Sequence, residues 1–298
     1  MQPIDAVRAM LEDLVGGPDT PFLSRRKQAE QFAAAFVPPA DIAIEAGTLG
    51  GVAVEWLTPA KVEARRVLFH LHGGGYVLGN PAGSRPFTTH LARLAQCSVV
   101  SIDYRLAPEH PFPAAVDDAL AAYRALLAAG RAPGDIAIGG ESAGGGLALA
   151  VAIAARDAHL PMPAALALVS PWTDMRCEAP SFDTKASVDP LLTRRSLKEM
   201  ADAYLNGANP RDGLASPLLG DLKGLPPMLI HVGGDEVLLD DSRELAAAAT
   251  AQGVDATLEE WPGMIHVWHM FHPMLPQGAQ AISALAAYVR GKWDNARI

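Results

Sequence analysis

Two cysteines, Cys97 and Cys177, are all that 298 residues contain. That excludes a disulfide framework and makes a reducing, cytoplasmic compartment the expectation. Positive charge is also scarce: 24 Lys and Arg stand against 33 Asp and Glu, for a net charge of −9. Nucleic acids and anionic membranes both reward clustered Lys and Arg, so neither is expected as a partner. The densest basic run, "SRRK" at 24–27, reads as a solvated helix start. Long apolar runs are missing too. "LALAVAIAA" at 147–155 is too short to cross a bilayer and suits a buried helix. The opening "MQPIDAVRAMLEDLVGG" carries acids where an export signal needs an unbroken apolar stretch, so export by that route is not expected. No internal repeat or low-complexity linker interrupts the chain.

What is present is a globular composition, half apolar and 19% charged. Short β-branched runs recur at 42–46, 52–57, 67–71, 98–102, 135–139, 166–170, 228–232 and 256–261. The first two flank "GTLGG" and read as a hairpin. From the third onward, strands alternate with helical stretches at 84–96, 113–129, 143–158, 240–252 and 277–291. Central strands that are apolar almost throughout fit a parallel sheet buried on both faces, with right-handed crossovers placing helices on either side. In such an α/β sheet, ligands bind beyond the carboxyl ends of the strands. Two regions fall outside the alternation. Residues 1–40 carry Val7, Met10, Leu11 and Leu14 at helical spacing, then a second helix around 24–36. Residues 171–226 hold a helix near 193–205 and no convincing strand. Both are expected to cover the strand ends, as a lid or as an ordinary packing layer.

Glycine clusters mark two strand ends. "DIAIGGESAGGGLALAVAIA" passes from strand through a tight turn into a helix, with Ser142 at the corner between Gly140 and Gly144. This is the pattern of a nucleophile elbow, where small neighbours permit a sharp turn that exposes the hydroxyl. Upstream, His72-Gly73-Gly74-Gly75 follows the strand "VLFHL". Bare glycine backbone there, with the N–H of Ala143, would form an oxyanion hole. A serine nucleophile needs a base, and the base an orienting acid. His266, after the last strand, stands where that chain order requires it. His70, inside a strand, reads as a packed core residue. His266, His269 and His272 are spaced by three, which raises a metal-site reading. No HExxH motif or acidic cluster accompanies them, so no metal is expected, and His269 and His272 are expected to flank the site or pack.

Together "HGGG" (72–75), "DYRLAPEHPFPA" (103–114), "GESAGG" (140–145), "DEVLLDD" (235–241) and "GMIHVW" (263–268) resemble the hormone-sensitive-lipase family (family IV) of bacterial esterases in the α/β-hydrolase superfamily. The resemblance implies an α/β-hydrolase fold: a mostly parallel eight-stranded sheet with helices on both faces and a helical cap. The cap would comprise residues 1–40 and a segment around 175–215, on a catalytic domain spanning 41–298. Gly74, Gly75 and Ala143 match the family's oxyanion donors. The family's acid has leucine two residues on and aspartate four residues on. Glu236 meets that register with Leu238 and Asp240, although Val237 stands where proline is usual. Asp235 meets Val237 and Leu239 instead, so Glu236 is the expected acid, with Asp235 the alternative. Asp103, Arg105 and Glu109 are expected to pair with one another in a rigid support beneath the site. The expected activity is a cofactor-free serine carboxylesterase for short- to medium-chain acyl esters. A lactone or amide hydrolase with the same triad, or a non-catalytic binding protein, are the alternatives. A small-molecule ester is the expected partner, and a homodimer through 256–261 is suggested by the resemblance alone.

Overall fold

The structure, a computed structural model, describes residues 2–14, 24–28 and 36–296. Eight strands form one sheet in the order β1-β2-β4-β3-β5-β6-β7-β8. They are β1 Ile42–Leu49, β2 Val52–Pro59, β3 Val67–Leu71, β4 Ser98–Ile102, β5 Ile136–Glu141, β6 Ala165–Val169, β7 Met228–Gly233 and β8 Ala256–Trp261. β1 pairs antiparallel with β2, and β2 antiparallel with β4; all later pairings are parallel. The helices are α1 Pro3–Leu14, α2 Arg85–Ala95, α3 Ala114–Ala128, α4 Ala143–Asp157, α5 Ser181–Thr184, α6 Arg194–Leu205, α7 Leu239–Ala251 and α8 Pro276–Asn295. Of the helix expected at 24–36, residues 24–28 are helical; 29–35 lie outside the described residues.

The central strands are buried on both faces because their side chains alternate between two cores. On one side Phe69, Val100, Ile138, Leu168 and Ile230 pack against α3, α4 and α7 through Val116, Leu147 and Leu245. On the other, Leu68, Val99, Ala137, Ala167 and Leu229 meet Leu91 of α2 and Ile282, Leu285 and Val289 of α8. α4 is apolar around almost its whole circumference, as a helix wedged between sheet and neighbouring helices must be. A third cluster joins α1 to the segment after β8: Val7 and Leu11 pack on Met264, Ile265 and Trp268. α6 starts at a capping box, Thr193 Oγ1 accepting from Ser196 N while Ser196 Oγ accepts from Thr193 N.

The loop 103–114 is tied down differently from expectation. Arg105 grips Asp118 of α3, 2.7 Å from Oδ1, and Glu109 receives Arg26 at 2.8 Å, so Asp103, Arg105 and Glu109 do not pair with one another. Thirteen residues separate Arg105 from Asp118, a contact that the crossover into α3 creates. The loop supports the site through its backbone: Ala107 N donates to Tyr76 O at 2.9 Å, and Phe112 N to Tyr204 O at 2.7 Å.

Asp241, in the first turn of α7, is buried, and its Oδ2 accepts from Thr173 N at 2.9 Å and Asp174 N at 3.2 Å. Among the described residues, Oδ1 has no hydrogen-bond partner. Burial pushes this carboxyl up to about 7, against the pull of the Thr173 amide. A carboxyl whose pKa rises on folding supports the fold below its unfolded pKa and withdraws that support as pH climbs toward 7. Asp241→Asn, neutral at every pH, should therefore gain on the wild type with rising pH. Its advantage in unfolding free energy should be about 2 kcal/mol larger at pH 8 than at pH 5. A difference that does not change with pH would remove this account of Asp241.

Candidate active site

β5 ends at Glu141 and α4 begins at Ala143, so Ser142 alone reverses the chain. Its backbone sits at φ 56°, ψ −124°, a region that costs a non-glycine residue on the order of 1–3 kcal/mol. Surrounding bonds hold it there. Ser142 N donates to Val169 O of β6 at 2.9 Å, and Ser142 O accepts from Gly145 N and Trp172 N, each at 3.0 Å. The turn also brings α4 directly onto the end of β3. A Cβ at Gly144 would land on the Leu71 and His72 carbonyl oxygens, so only glycine fits.

The glycine loop leaves β3 immediately beside this turn. His72 stacks on Tyr104 with ring centroids 4.2 Å apart, and its Nδ1 lies 2.8 Å from Gly73 O. Burial pushes the imidazole down to about 4, so the ring stays neutral and Nδ1 donates to that carbonyl. Gly74 and Gly75 have φ of 120° and 62°, and a side chain at Gly75 would collide with Met200 of α6. Both glycines line the cavity with Ser142; Ala143 is fully buried at the first position of α4.

Glu141 connects these two segments. Oε1 accepts from Gly73 N at 2.9 Å and Ser84 Oγ at 2.6 Å; Oε2 lies 2.7 Å from His70 Nε2. His70 Nδ1 continues the chain to Ser101 Oγ at 2.6 Å. Burial alone would raise the Glu141 carboxyl, but His70 and the bonds from Ser84 and Gly73 outweigh it and hold the group below its ordinary value. His70 is thus buried as expected, yet bonded through both ring nitrogens rather than merely packed. The signal was in the sequence: a histidine inside "VLFHL" and a glutamate inside "GGESAGG" must find partners when buried. Spacing cannot name those partners.

The structure brings Glu236 to His266 and turns Asp235 away. His266 Nδ1 lies 2.6 Å from Glu236 Oε2, and Glu236 Oε1 accepts from Gly233 N at 2.8 Å. Glu236 is fully buried. A carboxylate can only accept, so Nδ1 carries the hydrogen and Nε2 is left as the basic nitrogen. Asp235 instead pairs with Arg8 of α1 at 2.8 Å, on a partly exposed face. His269 and His272 are engaged elsewhere. His269 Nε2 is 3.1 Å from His231 Nδ1 in the core, and His272 Nε2 binds Pro86 O at 3.0 Å while its ring stacks on His90. Among the described residues, no group of three or more His, Cys, Asp or Glu could hold a metal ion. Nor is any helix among them long and apolar enough to cross a membrane. Ser142, His266, Gly74 and Gly75 share one cavity of about 340 Å³, walled by Leu11 and Met10 of α1, Leu191, Leu192, Leu197 and Met200, with Met270 and Phe271. Its lining is mostly apolar, with the polar groups gathered where β3 and β5 end.

Residues 68–270 match the family model described as the alpha/beta hydrolase fold. An acetyl-hydrolase from Streptomyces hygroscopicus is 48% identical over 261 residues, covering 88% of this chain and 86% of the relative. An esterase from Acinetobacter venetianus is 37% identical over 77% of this chain and 76% of its own length. Among solved structures, that of EstE5 soaked with p-nitrophenyl butyrate superimposes with a TM-score of 0.94 at 48% identity, covering 98% of this chain and 99% of the other. An esterase from the bacterial hormone-sensitive lipase family gives 0.94 at 44% identity, over 97% of this chain and 98% of that one.

The Glu141 network makes a stability prediction. Glu141→Ala leaves Gly73 N, Ser84 Oγ and His70 Nε2 without their buried acceptor. Removing one side of such a pair costs about 3–5 kcal/mol. Urea unfolding of the variant should show that loss; a cost under about 1 kcal/mol would mean that Glu141 does not hold the glycine loop.

Proposed function

This chain belongs to the hormone-sensitive-lipase family of α/β-hydrolase-fold esterases, and we propose that it is a serine carboxylesterase acting through Ser142, His266 and Glu236. One observation carries the reading. A histidine hydrogen-bonded to a buried glutamate lines the same apolar cavity as a serine on a strained strand-to-helix turn. His266 Nε2 takes the Ser142 proton as Oγ attacks the ester carbonyl carbon. The carbonyl oxygen becomes an oxyanion, received by the N–H groups of Gly74, Gly75 and Ala143. Ala143 opens α4, where backbone N–H groups have no partner within the helix and the dipole favours negative charge. The intermediate collapses, His266 protonates the departing alcohol, and water activated by the same imidazole releases the acid. Glu236 keeps the hydrogen on Nδ1 and stabilises the imidazolium.

The cavity volume suits short- to medium-chain acyl groups, and the names of the relatives point to small acyl chains. Residues 1–40 and the segment around 175–215 form the cap in this reading, over a catalytic unit spanning 41–298. Met10 and Leu11 of α1, with Leu191, Leu192, Leu197 and Met200, line the cavity. β8 leaves a sheet edge open, and a homodimer through it is part of the proposal.

Purified wild type and Ser142→Ala are to be assayed on p-nitrophenyl esters from acetate to decanoate. The wild type should favour the shorter chains and the variant should be inactive. A folded wild type that turns over no ester would move the reading to lactones or activated amides. The acid is tested separately. Glu236→Gln should lower kcat by about 10⁴, because it mis-sets the histidine tautomer. Asp235→Asn removes only a partly exposed ion pair, so kcat should stay within a few-fold. The reverse order would transfer the acid role to Asp235.

A further inference from the structure

One buried carboxylate near the site has no part in the mechanism above. Asp189 lies in the loop between α5 and α6 and is 8% exposed. Its Oδ1 accepts from Leu191 N at 2.8 Å and Leu192 N at 2.9 Å. Its Oδ2 reaches across 48 residues of sequence to accept from Val237 N at 2.9 Å. Val237 directly follows Glu236, so this bond holds the peptide that carries the acid. The following peptide is held as well, because Ser181 Oγ donates to Val237 O at 2.6 Å and accepts from Asp240 N at 3.1 Å. Leu191 and Leu192, whose amides Asp189 organises, are cavity wall. A single carboxylate thus links the wall of the cavity to the turn that bears Glu236.

We propose that Asp189 is a positioning residue for the Glu236–His266 pair: it fixes the Glu236 turn through the Val237 amide. The inference rests on the triad reading given above. Two physical effects follow from the placement. Burial raises the Asp189 carboxyl, while the charge of His266 and the three amide bonds oppose that rise, so the carboxylate and the imidazole interact. An anion there favours the imidazolium that forms when Ser142 gives up its proton. The hydrogen bond acts by geometry, since a small displacement of an orienting group is enough to misalign the base. The other charges around the turn are already directed elsewhere. Asp235 faces Arg8 at 2.8 Å and Lys185 at 3.9 Å, Arg8 also donates to Val188 O, and Asp240 pairs with Arg243 at 3.1 Å. On the far side of Ser142, Glu141 is committed to His70, Ser84 and Gly73.

The test is Asp189→Asn in the full chain, with p-nitrophenyl butyrate and a full pH profile. The amide removes the charge and can no longer accept at both oxygens. We expect kcat to fall ten- to hundredfold with KM unchanged within about twofold. We also expect the acidic limb of the kcat/KM profile to move to lower pH, because loss of a nearby anion makes the imidazolium easier to deprotonate. A residue that only braced the cavity wall would raise KM and leave the acidic limb in place, and that result overturns the proposal. So does a variant with wild-type kcat and profile. If Asp189→Asn does not fold, Asp189→Ser is read by the same criteria, since its hydroxyl still accepts from the Leu191 and Leu192 amides. A wild type whose activity survives Ser142→Ala would sink the triad reading instead, which keeps the two failures apart.

Discussion

At Ser142 the chain passes from β5 to α4 in one residue, at a backbone geometry that no isolated peptide would hold. The cavity exists because the neighbourhood over-determines that turn. Val169 and Trp172, on either side of the β6 terminus, hold the serine peptide from one direction, and the end of β3 presses against Gly144 from the other. Since β3 must approach so closely, the loop that leaves it starts within reach of the serine. The glycine loop, the serine and the dipole end of α4 share one location for this reason. A looser turn would separate them even if every residue were kept.

The apolar sheet core supplies the rigidity, and buried polar groups supply the specificity of arrangement. Glu141 joins the glycine loop to the serine turn, Glu236 joins His266 to the end of β7, and Asp189 joins the cavity wall to the Glu236 turn. Each accepts hydrogen bonds from backbone amides, a geometry that favours a carboxylate over a neutral side chain in a site of low dielectric. His231 and His269 form a further buried contact beneath the His266 loop, where burial and His231 hold His269 well below the usual imidazole range and so neutral. With α1 packed on Ile265 and Trp268, the loop bearing His266 is supported from below and from the N-terminal helix. Mobility in this loop would cost the alignment that the proposed chemistry needs.

The strands could be read directly from the chain because each is a short β-branched run, and burial on both faces leaves little room for polar interruption. The hairpin was visible from "GTLGG", and the parallel core from helices spaced between strands. The glycine clusters were equally legible: a residue that must lack a side chain cannot be disguised. Pairing was another matter. Arg105 had two plausible local partners, Asp103 and Glu109, and took Asp118 of the following helix, since the loop's path brings α3 to the guanidinium. His70 looked like filler in an apolar strand, because its partner Glu141 lies 71 residues on, across the β3–β5 pairing. Asp189 gave no signal at all. An aspartate before proline in a loop is ordinary turn chemistry until the fold sets Val237 beside it.

Local pattern therefore determined the order and kind of the elements, the two glycine turns and the positions of Ser142 and His266 relative to strand ends, since hydrophobic period and missing side chains act over a few residues. Tertiary structure decided which of Asp235 and Glu236 meets His266. Neighbouring side chains on one turn point in different directions, and only the path after β7 sends one into the core and the other to Arg8. It also decided the cavity's dimensions and the carboxylates that brace it. Those depend on segments far apart in sequence meeting at one sheet end, and a contact between distant residues has no period to read.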